Sequence, residues 1–203
     1  DGQATPTQLP ASSNLLAVPG LALPGAARGG ATSMRAGETP TSPLSSAGAV
    51  QELEAQVRDC LDQGGRLAFR GNLKGAEGGS GTSFEKGFFF PPVIITDLPA
   101  DAPMAQQEFF GPVALVFRVS SIEEAVELAN GTDFGLGASV WTRDESEAES
   151  MINEIEAGSV FLNGMVKSDP RLPFGGIKRS GYGRELGVQG IMEFVNVKTV
   201  WMR

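Results

Sequence analysis

The chain has 203 residues, 41% of them hydrophobic, with a formal charge of −8, no histidine and one cysteine. That length holds one ordinary α/β domain, and the acidic balance argues against nucleic acid or an anionic membrane surface as a partner, because both reward a basic face. One cysteine forms no internal disulfide, the lack of histidine removes Ser-His-Asp and Cys-His nucleophile pairs and every imidazole metal site, and no apolar run approaches the ~20 residues of a transmembrane helix.

Residues 1–48 are rich in Ala, Gly, Pro, Ser and Thr, with only Asp1, Arg28, Arg35 and Glu38 charged, and prolines at 6, 10, 19, 24, 40 and 43 break any apolar periodicity. Such a segment buries too little apolar surface to offset an ordering cost of roughly 1–2 kcal/mol per residue, so it reads as an extended, low-complexity arm. Its acid-poor stretch LPGAARGGATSMRAGETP also has the character of an organelle-targeting segment, plastid or mitochondrial. The plainer alternative is a linker in a cytoplasmic chain.

From residue 49 the text becomes regular. AVQELEAQVRDCLDQGG sets Val50, Leu53, Val57 and Leu61 at helical spacing, with Gly64 and Gly65 as the stop. Cys60 falls beside that stripe and reads as a small buried hydrophobe, flanked by Asp59 and Asp62, which raise a thiol's pKa; a catalytic thiolate wants positive charge nearby. RLAFRG predicts a short apolar strand. The glycine-rich GNLKGAEGGSGTS after it lacks the GK[ST] ending of a phosphate loop. FFFPPVIIT predicts a strand entered through two prolines, and VALVFRV a continuous apolar one. SSIEEAVELANG predicts a helix with a capping box at Ser120–Glu123 or Ser121–Glu124, with Ile122, Val126 and Ala129 on one face. GASVWT predicts a strand, and DESEAESMINEIEAG a helix capped by Asp144, with Met151, Ile152 and Ile155 inward and Gly158 as the stop; SVFLN closes the series. Apolar strands alternating with amphipathic helices predict an α/β fold built on a parallel open sheet with flanking helices.

Two segments could carry chemistry. SDPRLPFGGIKRSGYGRELG leaves the end of SVFLN, the carboxyl end of a parallel strand, where open α/β sheets place their sites. Gly181, Gly183 and Gly187 only approximate a dinucleotide fingerprint, with the wrong spacing and no strand leading into them. In MAQQEFFGPV, Glu108 stands between two glutamines and two phenylalanines. A carboxylate so placed suits a general base or an acceptor for a ligand hydroxyl; a solvated turn glutamate is the plain reading.

EFFGPV, NGTDFGL, SVFLNG and PFGGIKRSGYGRELG, in this order and spacing, resemble the C-terminal part of the aldehyde dehydrogenase superfamily. NGMVKSDPRLPFGGIKRSGYGRELG with MEFVNVKTVW looks most like succinate-semialdehyde dehydrogenases, and the resemblance covers roughly residues 49–203. It implies that Glu108 hydrogen-bonds the nicotinamide ribose, that Phe110 packs beside the nicotinamide, that Ser168 helps hold the substrate carboxylate, and that Phe174 lines the substrate tunnel. After the arm over 1–48, it implies a partial catalytic domain over 49–194 and an oligomerisation-type strand over 195–203.

The family reaction needs a cysteine thiolate, a water-activating glutamate, an oxyanion-stabilising asparagine and a nucleotide-binding domain. The resemblance puts all four upstream of the matched segment, and Cys60 at a non-catalytic helical position. The isolated chain is therefore expected to have no catalytic residue of its own, to bind no cofactor and to be inert, with NAD or NADP bound only if another chain completes it. Protein partners are expected to cover the truncated sheet and the C-terminal strand, with the arm docking on a neighbour. Two roles follow: a non-catalytic accessory subunit of a larger assembly, or the C-terminal piece of a working NAD(P)-dependent succinate-semialdehyde dehydrogenase that oxidises an aldehyde to a carboxylate.

Overall fold

The computed structural model describes residues 43–73 and 87–203, and the backbone of 14–17; most of the glycine-rich stretch considered above as a phosphate loop lies outside the described residues. The chain divides into two compact units, Asp1–Ser121 and Ile122–Arg203.

The first unit contains strand β1 (Asn14–Ala17), helix α1 (Ala47–Asp62), strands β2 (Arg66–Arg70) and β3 (Val93–Thr96), a 3-10 turn over Pro103–Gln106, and strand β4 (Val113–Val119). α1 starts at Ser46, whose hydroxyl accepts the Ala49 N–H at 3.1 Å and so satisfies one of the open donors of the first turn. It ends before Gly64, which takes a φ of 100° that suits glycine. The buried stripe is Leu53, Val57 and Cys60, while Leu61 is 36% exposed. At 3.6 residues per turn Leu61 lies about 80° round from Leu53, and Cys60 only about 20°.

The strands run in the order β1-β4-β3-β2. β3 and β4 are parallel, while β2 and β1 pair antiparallel at the two edges. Val93 and Ile95 on β3, with Val113, Leu115, Phe117 and Val119 on β4, alternate inward beside the buried Phe90. Gly65 lets the α1–β2 turn close: a methyl there would meet the Cys60 carbonyl oxygen at 2.7 Å and Ile95 at 3.0 Å. The strand predicted from RLAFRG forms, but all five of its residues are exposed on the outer edge.

The second unit contains helix α2 (Ile122–Asn130), strands β5 (Phe134–Gly135) and β6 (Ala138–Val140), helix α3 (Glu145–Glu154), strands β7 (Val160–Leu162) and β8 (Ile177–Lys178), and the short helix α4 (Gly187–Met192). β6 and β7 are parallel and α3 is their crossover; β5 pairs antiparallel with β8. The fold is α/β, as the alternation of elements implies. Its parallel pairings are β3–β4 and β6–β7, and the described strands are divided among one four-stranded and two two-stranded sheets.

Asp144 caps α3, its carboxylate accepting the N–H groups of Ser146 at 2.9 Å and Glu147 at 3.1 Å. The inward residues are Ala148, Met151 and Ile155; Ile152, expected inward, is 44% exposed, because 148, 151 and 155 already trace one stripe down the helix. The helix stops at Glu154, ahead of Gly158. Gly158 serves packing: a methyl there would collide with the carbonyl oxygen of Gly175. Residues 195–203 form no strand in this chain and are exposed.

Gly158→Ala is expected to destabilise the chain by about 3 kcal/mol, read from a urea midpoint, since the collision is with backbone that no rotamer relieves. Gly164→Ala, whose methyl meets only the Leu162 carbonyl oxygen at 3.7 Å, should leave the midpoint unchanged. The hydrogen bond from the Ser146 hydroxyl, then those from the Glu147 and Ser146 N–H groups, hold the Asp144 carboxyl below its ordinary value of 3.8. The cap's stabilisation is thus full above that value and lost as the pH falls through the depressed one. Asp144→Ala should lower the melting temperature by a few degrees at neutral pH, with the gap to wild type closing in acid.

Candidate functional site

The connector from β3 to β4 carries Glu108 and Phe110, and α1 with its C-terminal cap residue holds it at two points through side-chain amides. Gln63 Oε1 accepts the Met104 N–H at 3.0 Å, and Gln56 Nε2 donates to the Glu108 carbonyl oxygen at 3.0 Å. Phe109 is buried and anchors the chain just beyond the second of them. Gly111 then passes so close to Leu53 that a methyl would collide with that side chain. With Phe109 inward, Phe110 turns outward, 67% exposed. Glu108 is exposed too, and its carboxylate makes no hydrogen bond or ion pair among the described residues.

In the second unit Ser168 and Phe174 lie on the long segment after β7. Asn163 opens it with a φ of 51°, its side-chain amide donating to the Thr142 carbonyl oxygen at 2.9 Å and accepting the Thr142 N–H at 3.1 Å. Ser168 is exposed, and its hydroxyl makes no hydrogen bond among the described residues. Asp169 accepts from the Arg171 guanidinium and from its N–H; these bonds hold its carboxyl far below the ordinary carboxylate range. Phe174 is half-buried and exchanges two backbone hydrogen bonds of 2.8 Å with Glu185, which closes the loop between them.

The cations of this loop are engaged with the protein itself. Lys178 donates from Nζ to the Asn130 carbonyl oxygen at 2.8 Å, at the end of α2, and pairs with Glu156 at 2.7 Å. Arg184 donates to the Gly176 and Gly183 carbonyl oxygens at 3.0 and 2.6 Å. Arg179 pairs with Asp133 at 3.5 Å and sits over the Phe134 ring. The glycines turn the chain: Gly181 and Gly183 have φ of 117° and 80°. Lys178, Arg184 and Asn163 escaped the sequence reading; positive residues among glycines look the same whether they face a phosphate or a carbonyl.

Cys60 is fully buried on α1. Burial, and secondarily the Asp59 carboxylate, push its thiol up to about 11. No thiolate nucleophile arises there at neutral pH.

The family model described as "Aldehyde dehydrogenase family" matches residues 28–200, and the chain belongs to that family. A Synechocystis protein described as a probable succinate-semialdehyde dehydrogenase (NADP+) is 49% identical over 164 residues, 81% of this chain and 34% of that one. The Mycobacterium tuberculosis succinate-semialdehyde dehydrogenase (NADP+) 1 is 47% identical over 165 residues, covering 81% and 34%. The chain thus spans about a third of the length of the curated relatives it matches. Among solved structures, succinic semialdehyde dehydrogenase from Streptococcus pyogenes with NADP+ superposes with a TM-score of 0.70 at 41% identity over 81% of this chain and 34% of that one. Aldehyde dehydrogenase 21 from Physcomitrella patens, in complex with succinate, gives 0.70 at 31% identity over 81% and 32%.

Cys60 should resist Ellman's reagent at pH 8 in the folded chain and react promptly in urea. Because its folded pKa lies above the ordinary value of 9.0, its stabilising contribution is complete below that value and is lost as pH rises toward about 11. Cys60→Ala, which removes the titrating group, should abolish that part of the alkaline destabilisation in a pH series of urea midpoints.

Proposed function

We propose that this chain supplies the nicotinamide-facing and substrate-facing elements of an NADP-linked succinate-semialdehyde dehydrogenase, which oxidises its aldehyde to a carboxylate. The presentation of Glu108 and Phe110 carries the reading. An exposed acceptor and an exposed ring two residues apart, on a connector anchored by Gln56, Gln63 and Phe109, fit a ribose hydroxyl and the flat face of a nicotinamide. When bound, NADP+ accepts the hydride.

Ser168 fits the second role, a hydroxyl donor toward the substrate's distal carboxylate, and Phe174 an apolar wall beside the carbon chain. Neither supplies a nucleophile, and Cys60 is closed to that use. Residues outside these 203, on the same polypeptide or another, bring the thiolate and the water-activating carboxylate. On this reading the exposed apolar side chains of Phe194, Val197, Val200 and Trp201 are an assembly surface for a further chain. The bacterial relatives named above lend no support to a non-catalytic accessory role or to an organelle address.

The 203-residue chain alone should give no NADP+-dependent oxidation of succinate semialdehyde; turnover by it would sink this account. In an enzyme carrying this sequence with nucleotide-binding and nucleophile-bearing regions, Glu108→Gln should raise KM for NADP+ about tenfold or more, the weight of a hydrogen bond to a charged acceptor. Ser168→Ala should raise KM for succinate semialdehyde about tenfold and leave KM for butanal unchanged. Equal effects on the two aldehydes would remove Ser168 from carboxylate recognition.

A further inference from the structure

β4 is longer than its parallel neighbour. β3 pairs with it only over Val113–Val116, then leaves the sheet at Asp97, where the backbone turns left-handed with a φ of 62°. Beyond that exit a cavity of about 260 Å³ opens, lined by Thr96, Asp97, Leu98, Ala100 and the Val116–Arg118 stretch of β4. Phe117, Arg118 and Val119 therefore have no partner in β3. Their strand partner among the described residues is β1, in the register Asn14↔Val119, Leu15↔Arg118, Leu16↔Phe117.

The rest of β4 is built as an interior strand. VALVFRV is continuously apolar but for one arginine, and Phe117 and Val119 are both buried, so the unguarded end would present free backbone groups along a hydrophobic strand. The segment that covers it is short by construction: Pro10 and Pro19 bracket Asn14–Ala17, and each lacks the N–H a longer ladder needs.

We infer that Asn14–Ala17 is a built-in edge guard, an intramolecular strand that occupies the carboxyl half of β4 and keeps it from pairing with the same edge of a second copy. The arm thereby has a use that its composition does not advertise, and one independent of any catalytic role.

The test is amide hydrogen exchange on the full chain and two variants, one carrying Leu15→Pro with Leu16→Pro, the other lacking residues 1–42. Neighbouring residues of a strand point their N–H groups to opposite sides, so the double substitution removes whichever donor faces β4. The expected result is exchange at Phe117 and Val119, whose N–H groups share the edge opposite β3, faster by about tenfold or more, with the amides of Ala114 and Val116, which face β3, unchanged. Self-association in sedimentation velocity should rise in both variants. Unchanged exchange at Phe117 and Val119, equal acceleration at Ala114 and Val116 in both variants, or no gain in self-association would each overturn the proposal.

Discussion

Where the turn after α3 crosses the PFGG segment, the backbone of Gly158 lies against the carbonyl of Gly175 with no side chain between them. The seating of the second unit's long loop against β5 depends on that contact. Gly158 donates to the Gly135 carbonyl oxygen at 3.0 Å, so β5 lies on the other side of the same crossing. With the loop seated this closely, Ile177 can pair with Gly135 and Lys178 can reach the carbonyls that end α2. Arg184 then ties the loop together from within, and Phe174 meets Glu185 across its neck.

The first unit solves a similar problem by different means. Its Glu108 connector is held by side-chain amides reaching from α1 and its cap, not by backbone packed on backbone. Helix α1 stays in place because Cys60, Leu53 and Val57 are buried, and because Gly65 and Gly111 let neighbouring chain approach it closely. Cys60, read from the sequence as a small buried hydrophobe, is thus one of the residues that fix where the connector runs.

Much of this was legible beforehand where the signal is local. Asp144 at the head of α3, the glycines after α1 and the apolar run of β4 each have one physical reading, and the structure bears them out. Burial within a stripe was less legible. Leu61 against Cys60, and Ile152 against Ala148, are decided by what lies opposite the helix, and periodicity does not carry that information. Gly158 was read as a helix stop because its neighbour in space, Gly175, is distant in sequence. RLAFRG gave its strand correctly, but not its exposure, which depends on being outermost in the sheet. For Glu108, Phe110, Ser168 and Phe174, spacing alone was weak; only the set of motifs together made them candidates.

The pairing of β1 with β4 joins segments about 100 residues apart, the longest reach in the sheet. During synthesis at about 5–20 residues per second, β1 is made on the order of 5–20 seconds before β4 exists to receive it. Helix α1 and the β2–β3 hairpin close over much shorter distances and can form while it waits. The strand made first in this sheet is then the last to be placed, and it completes an edge already built.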